Sequence, residues 1–255
     1  MPDASPEPLS ETLKRMPDGF YHRGAEVTRL EAFVDASFAF ALSLLAISGN
    51  TMPNSTAALL LSLKGVPAFA ASFLLLIQFW RAHAGWSRRY GLDDPRSQWL
   101  SLLLIFLLLI FVYPLHMVFS SFFALLSGGA LPQKFDMQSL SGFRALFVTF
   151  GVAFFSMGMV ITLLYANALK QAASLRLTAR EQTLTKLIVR QWAVIPMVSM
   201  VSIILAIFLP ESLRTSIWIG LPGYLYFVVN GFSIYTYRKI RRVNAQMAND
   251  NATGS

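Results

Sequence analysis

Polar and apolar positions along this chain segregate into blocks of whole-helix length. Uncharged runs cover Gly65 to Trp80, Gln98 to Gln133, Ala145 to Leu169, Gln191 to Pro210 and Thr215 to Tyr237. A helix crossing a bilayer needs roughly 20 mostly apolar residues. The first run is short, but it extends back through Lys64 toward Ala57, because a lysine near the end of a span can reach water with its ammonium group. The stretch RLEAFVDASFAFALSLLAIS, residues 29–48, makes a sixth. It opens with Arg29, Glu31 and Asp35 and then carries only apolar and small side chains. The pattern predicts an all-α integral membrane protein with six transmembrane helices.

Local signals punctuate these helices. Thr28 and Glu31 have the spacing of a capping box at the start of helix one, and Thr178 and Glu181 repeat it at the start of helix five. Asp94 followed by Pro95 reads as an N-cap and a first helical residue. Pro114 is expected to kink span three or loosen its outer end. Pro210 ends helix five, a turn about Glu211 follows, and Pro222 falls inside span six. These boundaries divide the chain into an N-terminal tail (1–25), a six-helix membrane domain (26–243) and a disordered C-terminal tail (244–255). No internal duplication is visible.

Composition agrees. The chain has 255 residues, 55% hydrophobic and 13% charged, where a soluble domain carries about a quarter charged residues. Its basic excess of 21 Lys and Arg over 13 Asp and Glu has a membrane explanation. All but four of the cations fall in the N-terminal tail, the links after spans two and four, and the segment after span six. Lys64, Lys134, Arg144 and Arg214 remain for the other side. The positive-inside rule then places both termini in the cytoplasm of a multi-pass plasma-membrane protein. No basic block stands apart from a membrane end, so nucleic acid is not an expected partner. There is no cysteine and there are only three histidines, His22, His83 and His116. Neither HExxH nor GxSxG occurs, so no enzyme, metal site or cofactor is expected.

Helix one carries the specific signal. RLEAFVD, residues 29–35, resembles the Arg-x-x-x-Phe-Ser-Asp signature of the transmembrane protein 175 family, the lysosomal potassium channels and their prokaryotic relatives. ASFAFALSLL is similar to that family's GVFAIAITLL, FWRAH (Phe79 to His83) to its Trp-x-x-His, and FVYPLHM to its proline-bearing third helix. Val34 stands where serine is usual, and Phe40 where isoleucine or leucine is. The resemblance implies a homotetrameric potassium channel, in some members also permeable to protons, with helix one of each subunit lining the pore. It places the constriction on Phe40, further pore layers on Leu44 and Ile47, and a hydroxyl layer on Ser43. It places Arg29, Phe33, Asp35, Trp80 and His83 in a polar network holding helices one and two together. The expected partners are potassium ions, the lipid bilayer and three further copies of the chain.

Helical geometry is compatible with that assignment. At 100° per residue, Phe40, Leu44 and Ile47 lie within about 40° of one another, and Asp35 sits roughly 140° around from Phe40. A carboxylate at that depth needs a partner within the protein; Arg29 and His83 are the nearest candidates by depth. No TVGYG carbonyl filter and no arginine row for voltage sensing occur, and LPGYLY, residues 221–226, shares only Gly-Tyr with the filter. Two other readings compete: a secondary transporter, and a non-conducting membrane scaffold. The uncharged middles of spans two to six and the lack of duplication argue against the transporter.

Overall fold

The computed structural model describes residues 13–47, 53–133, 135, 139–210 and 217–253. Eight helices carry the fold among them: α1 (Arg29–Ile47), α2 (Thr56–Leu63), α3 (Val66–Tyr90), α4 (Pro95–Leu126), α5 (Leu140–Lys170), α6 (Ala179–Ile207), α7 (Leu221–Tyr224) and α8 (Tyr226–Thr253). A 3-10 turn, Ile217–Gly220, precedes α7. The first twelve residues, Lys134, the turn about Glu211 and Arg214 lie outside the described residues.

Four helices, α1, α4, α5 and α6, are each long and apolar enough to cross a membrane, and α2 with α3 makes a fifth if the bent pair is one span. The pair bends by 41° at Lys64–Gly65, where Pro67 sits in the first turn of α3 and lacks the N–H that would continue the α2 ladder. The sixth run expected from the sequence does not form one such helix. It is split into the 3-10 turn, α7 with Pro222 in its first turn, and α8. Soon after Tyr237 α8 meets Arg238, Lys239, Arg241 and Arg242, so its apolar part is too short to qualify on its own. That helix continues to Thr253, well past residue 243. Span three runs unbroken across Pro114 within α4.

The predicted start signals are present as geometry. Asp94 caps α4 with Pro95 in its first turn. Thr178 and Glu181 form both halves of a capping box on α6. At α1, the Glu31 backbone N–H donates to Thr28 Oγ1 at 3.1 Å.

The core lies between α1, α3, α4, α5 and α6 around Phe38, Leu76, Trp86, Leu108, Met157 and Leu164. α5 and α6 make the most extensive pairing. Gly151 and Gly158, seven apart, present one small face to α6, where an added Cβ would lie 2.5 Å from Ile203 Cγ1 and 2.7 Å from Ile195 Cγ2. Small residues let membrane helices approach closely enough for dispersion contacts to hold them.

One end of the bundle is tied by polar contacts. Trp86 Nε1 donates to Leu164 O at 3.0 Å, Tyr165 OH to Ala82 O at 2.9 Å, and Tyr90 OH bonds Thr185 Oγ1 at 2.8 Å. The C-terminal ends of α3 and α5 and the N-terminal ends of α4 and α6 therefore meet there. Arg88, Arg89, Arg96, Lys170, Arg176 and Arg180 gather at this collar, whereas Arg144 reaches Leu209 O at the opposite end.

Candidate pore helix and its anchors

α1 has two unlike faces. Glu31, Val34, Ser37, Phe38, Ala41 and Leu45 are buried, packed against α3 and α4. On the other side Phe33, Phe40 and Ile47 are 54%, 57% and 70% exposed. They recur every seventh residue, so at 100° per residue they form a nearly straight stripe, flanked by Ala36, Ser43 and half-buried Leu44 within an arc of about 100°. Among the described residues, nothing buries these three side chains. The Ser43 hydroxyl donates to Ala39 O at 3.0 Å, which uses its proton and leaves the oxygen's lone pairs available.

The departure at Val34 has a packing reason. Its side chain is fully buried in the apolar core, where a serine would need a hydrogen-bond partner. Phe40 stands on the exposed stripe, so among the described residues its extra bulk is not packed into the core.

Of the expected network, the structure brings together Asp35 and Trp80: the indole Nε1 donates to Asp35 Oδ1 at 2.8 Å, joining α1 to α3. His83 turns to α4 instead, its Nε2 2.9 Å from Ser101 Oγ and its ring against Trp86. Neither Arg29 nor His83 hydrogen-bonds to Asp35. Arg29 is exposed and makes no ion pair among the described residues. Phe33 stands on the open stripe, apart from the network. Depth along the helix suggested these partners, but azimuth decides the contact: Trp80 faces α1, whereas His83, three residues on, faces α4.

Sequence reasoning missed a second anchor. The segment before α1 is strapped across the collar. Arg23 makes a two-pronged ion pair with Glu181, Nη1 to Oε1 at 2.7 Å and Nη2 to Oε2 at 2.9 Å. The two side chains are 8% and 0% exposed. Tyr21 N also donates to Glu181 Oε1, and Arg23 Nε donates to Leu175 O, both at 2.9 Å. Arg89 pairs with Asp18 at 3.0 Å and lies over the buried Phe20 ring at 4.8 Å. Gly24 completes the strap, its N–H bonded to Arg88 O, where a Cβ would fall 2.4 Å from Ser87 O. Glu181 was legible as a helix cap. Its second use, as the counter-ion of Arg23, leaves no mark at a separation of 158 residues.

Asp94 ties the collar from the α4 side. Its carboxylate accepts from Ser97 Oγ at 2.7 Å and from Asn167 Nδ2 and Gln171 Nε2 at 3.2 Å. Burial pulls its pKa upward, but these hydrogen bonds outweigh it and hold the carboxyl below its usual range.

Residues 29–114, from the first residue of α1 through most of α4, match the model of the family described as endosomal/lysosomal potassium channel TMEM175. A potassium channel of Marivirga tractuosa is 32% identical over 244 residues, covering 91% of this chain and 97% of the relative. This chain belongs to the TMEM175 family. In a solved structure, a variant of the potassium channel MtTMEM175 in complex with a Nanobody-MBP fusion protein superposes with a TM-score of 0.75 at 30% identity. That likeness covers 90% of this chain and 100% of the other. A lysosomal potassium-selective channel TMEM175 homolog from Chamaesiphon minutus shares the fold at 20% identity and a TM-score of 0.53, over 82% of this chain and 96% of its own. As a TMEM175-family chain with several apolar helices of membrane length, the protein is a multi-pass membrane protein.

Proposed function

We propose that this TMEM175-family chain is one subunit of a homotetrameric potassium-selective channel. Four α1 helices surround a central axis and turn Phe40, Ser43, Leu44 and Ile47 toward it. The uncovered stripe on α1 carries the proposal: its opposite face is packed and pinned, through Asp35 and Trp80, to the rest of the subunit. A fourfold ring places the same stripe of each copy at the axis.

In this arrangement α7 and α8 together form a broken sixth span, and the basic collar faces the cytoplasm with both termini. The protein resides in the plasma membrane and acts as a conduit rather than an enzyme. Four Phe40 rings make a constriction that excludes water when closed. Opening widens the ring enough for a partly hydrated cation, and K⁺, held less strongly by its water than Na⁺, loses less in passing. The outward lone pairs of four Ser43 oxygens replace part of the lost hydration. Relatives described as potassium channels support the choice of ion.

Flux of K⁺, Na⁺ and H⁺ through purified protein in liposomes tests the reading. K⁺ flux exceeding Na⁺ flux, and a raised leak in Phe40→Ala, are the expected results. An intact tetramer that carries no cation would leave a membrane scaffold; saturable counterflow would leave a transporter.

A further inference from the structure

Away from α1, the subunit contains a cavity of about 250 Å³. Its floor is buried and aromatic, with Phe143, Phe150 and Phe154 from α5. Its mouth is formed by exposed residues of three helices: Gln78 of α3, Leu125 of α4, and Phe227 and Asn230 of α8. From the level of Phe143 to that of Phe154 the cavity runs about 16 Å along α5, taking 1.5 Å per residue. It thus extends from near the end opposite the collar to about half-way down the bundle.

Two lining residues, Ser121 and Tyr226, carry a buried polar atom with no hydrogen bond among the described residues. Ser121 is 2% exposed, and its Oγ makes no hydrogen bond among the described residues. The adjacent Ser120 behaves as helix serines usually do, donating to Met117 O at 3.0 Å. Ser121 instead lines the cavity. It lies five residues before the end of α4 at Leu126, about 8 Å along the helix. At that depth a bilayer changes from hydrocarbon to the polar headgroup region.

We infer that this cavity is an acyl-chain site. One chain of a bilayer phospholipid enters between α3 and α8, lies against the aromatic floor, and its ester carbonyl accepts a hydrogen bond from Ser121 Oγ. Water is a poor occupant of the deep part of the cavity, because it needs two to four polar partners and the wall there is aromatic apart from the Tyr226 hydroxyl. Vacancy forfeits the dispersion contacts of every aromatic ring in the wall. The surrounding solvent is itself acyl chain, with its carbonyl groups at the depth of Ser121. The inference rests on the membrane placement of these helices and not on ion conduction, so it stands or falls separately from the proposed channel activity.

The test uses the full-length protein in nanodiscs of phosphatidylcholine bearing a diazirine midway along one acyl chain. After irradiation, adducts are mapped by mass spectrometry. Adducts are expected on residues 119–122 and 147–154. Ser121→Phe, which fills the upper cavity, should lower those on 147–154 at least fivefold, while adducts at lipid-facing Phe106 stay unchanged. Leu125→Trp fills the cavity from its exposed mouth, supplies the same comparison should Ser121→Phe fail to fold, and should have the same effect. Ser121→Ala keeps the space but removes one hydrogen bond, and should lower occupancy about two- to threefold. Absence of adducts on 147–154, or adducts there that both filled variants leave unchanged, would overturn the assignment. So would labelling by a free diazirine fatty acid but not by the phospholipid.

Discussion

Arg23 offers the sharpest test of the collar. Arg23→Ala removes both prongs of the Glu181 pair and leaves a carboxylate that is 0% exposed with Tyr21 N, Thr178 N and Thr178 Oγ1 as its remaining donors. Breaking one partner of a buried pair costs about 3–5 kcal/mol, because the other charge stays in a low-dielectric site. A domain of 150–250 residues loses about 2–4 °C in Tm per kcal/mol, so the expected fall is on the order of 10 °C. Replacing both partners is a different perturbation. Arg23→Met with Glu181→Leu buries no uncompensated charge, so its Tm should lie closer to wild type than that of Arg23→Ala. Glu181→Gln alone should cost less than Arg23→Ala, because Arg23 keeps the backbone oxygens of Leu175, Tyr21, Arg89 and Arg176 as acceptors. Thermal unfolding of detergent-purified protein, followed by size-exclusion fluorescence, reads each variant against wild type. Arg23→Ala within 2 °C of wild type (about 1 kcal/mol or less) would show that the strap is not held by this pair. A double variant as unstable as the summed losses of Arg23→Met and Glu181→Leu made singly would show that the two residues act independently.

Other contacts give further tests. Trp80→Phe keeps the ring volume near α1 but removes the donor to Asp35; a hydrogen bond to a charged group contributes about 1.5–3 kcal/mol, so Tm should fall by several degrees. Asp35→Ala removes the acceptor, so adding Trp80→Phe to it should then cost little more than Asp35→Ala alone. Gly158→Val places carbon 2.7 Å from Ile195 Cγ2, and the overpacking should destabilise the α5–α6 pair by about 1–3 kcal/mol in the same assay. Asp94 sets a pH dependence: its folded carboxyl titrates below its ordinary value of 3.8, so its contribution is full above that pH and is lost as pH falls through the lower folded value. A Tm-against-pH curve should therefore decline on the acid side, and Asp94→Asn should flatten that limb.

Helix starts and apolar spans were legible because they rest on local chemistry. Asp94 with Pro95, and Thr178 with Glu181, satisfy backbone donors within one turn, so a few residues suffice to recognise them. That Phe40, Leu44 and Ile47 share one side follows from helical periodicity alone, whereas Phe33, expected in the network, joins that side only in the structure. Whether that stripe is covered depends on which face of α1 meets α3 and α4, and this was decided by packing across the bundle. The same holds for Asp35. Its need for a partner follows from the cost of a carboxylate among lipid tails, but the choice of Trp80 over Arg29 and His83 depends on how α3 is rotated. The sixth run was readable as apolar; its division into a 3-10 turn, α7 and α8 lies around Pro222, whose missing N–H cannot continue a helix from the turn. Sequence thus determined which segments can enter a membrane and where most of them begin. Tertiary structure decided which side chains meet, because helix azimuth and contacts between distant segments depend on every neighbouring helix at once.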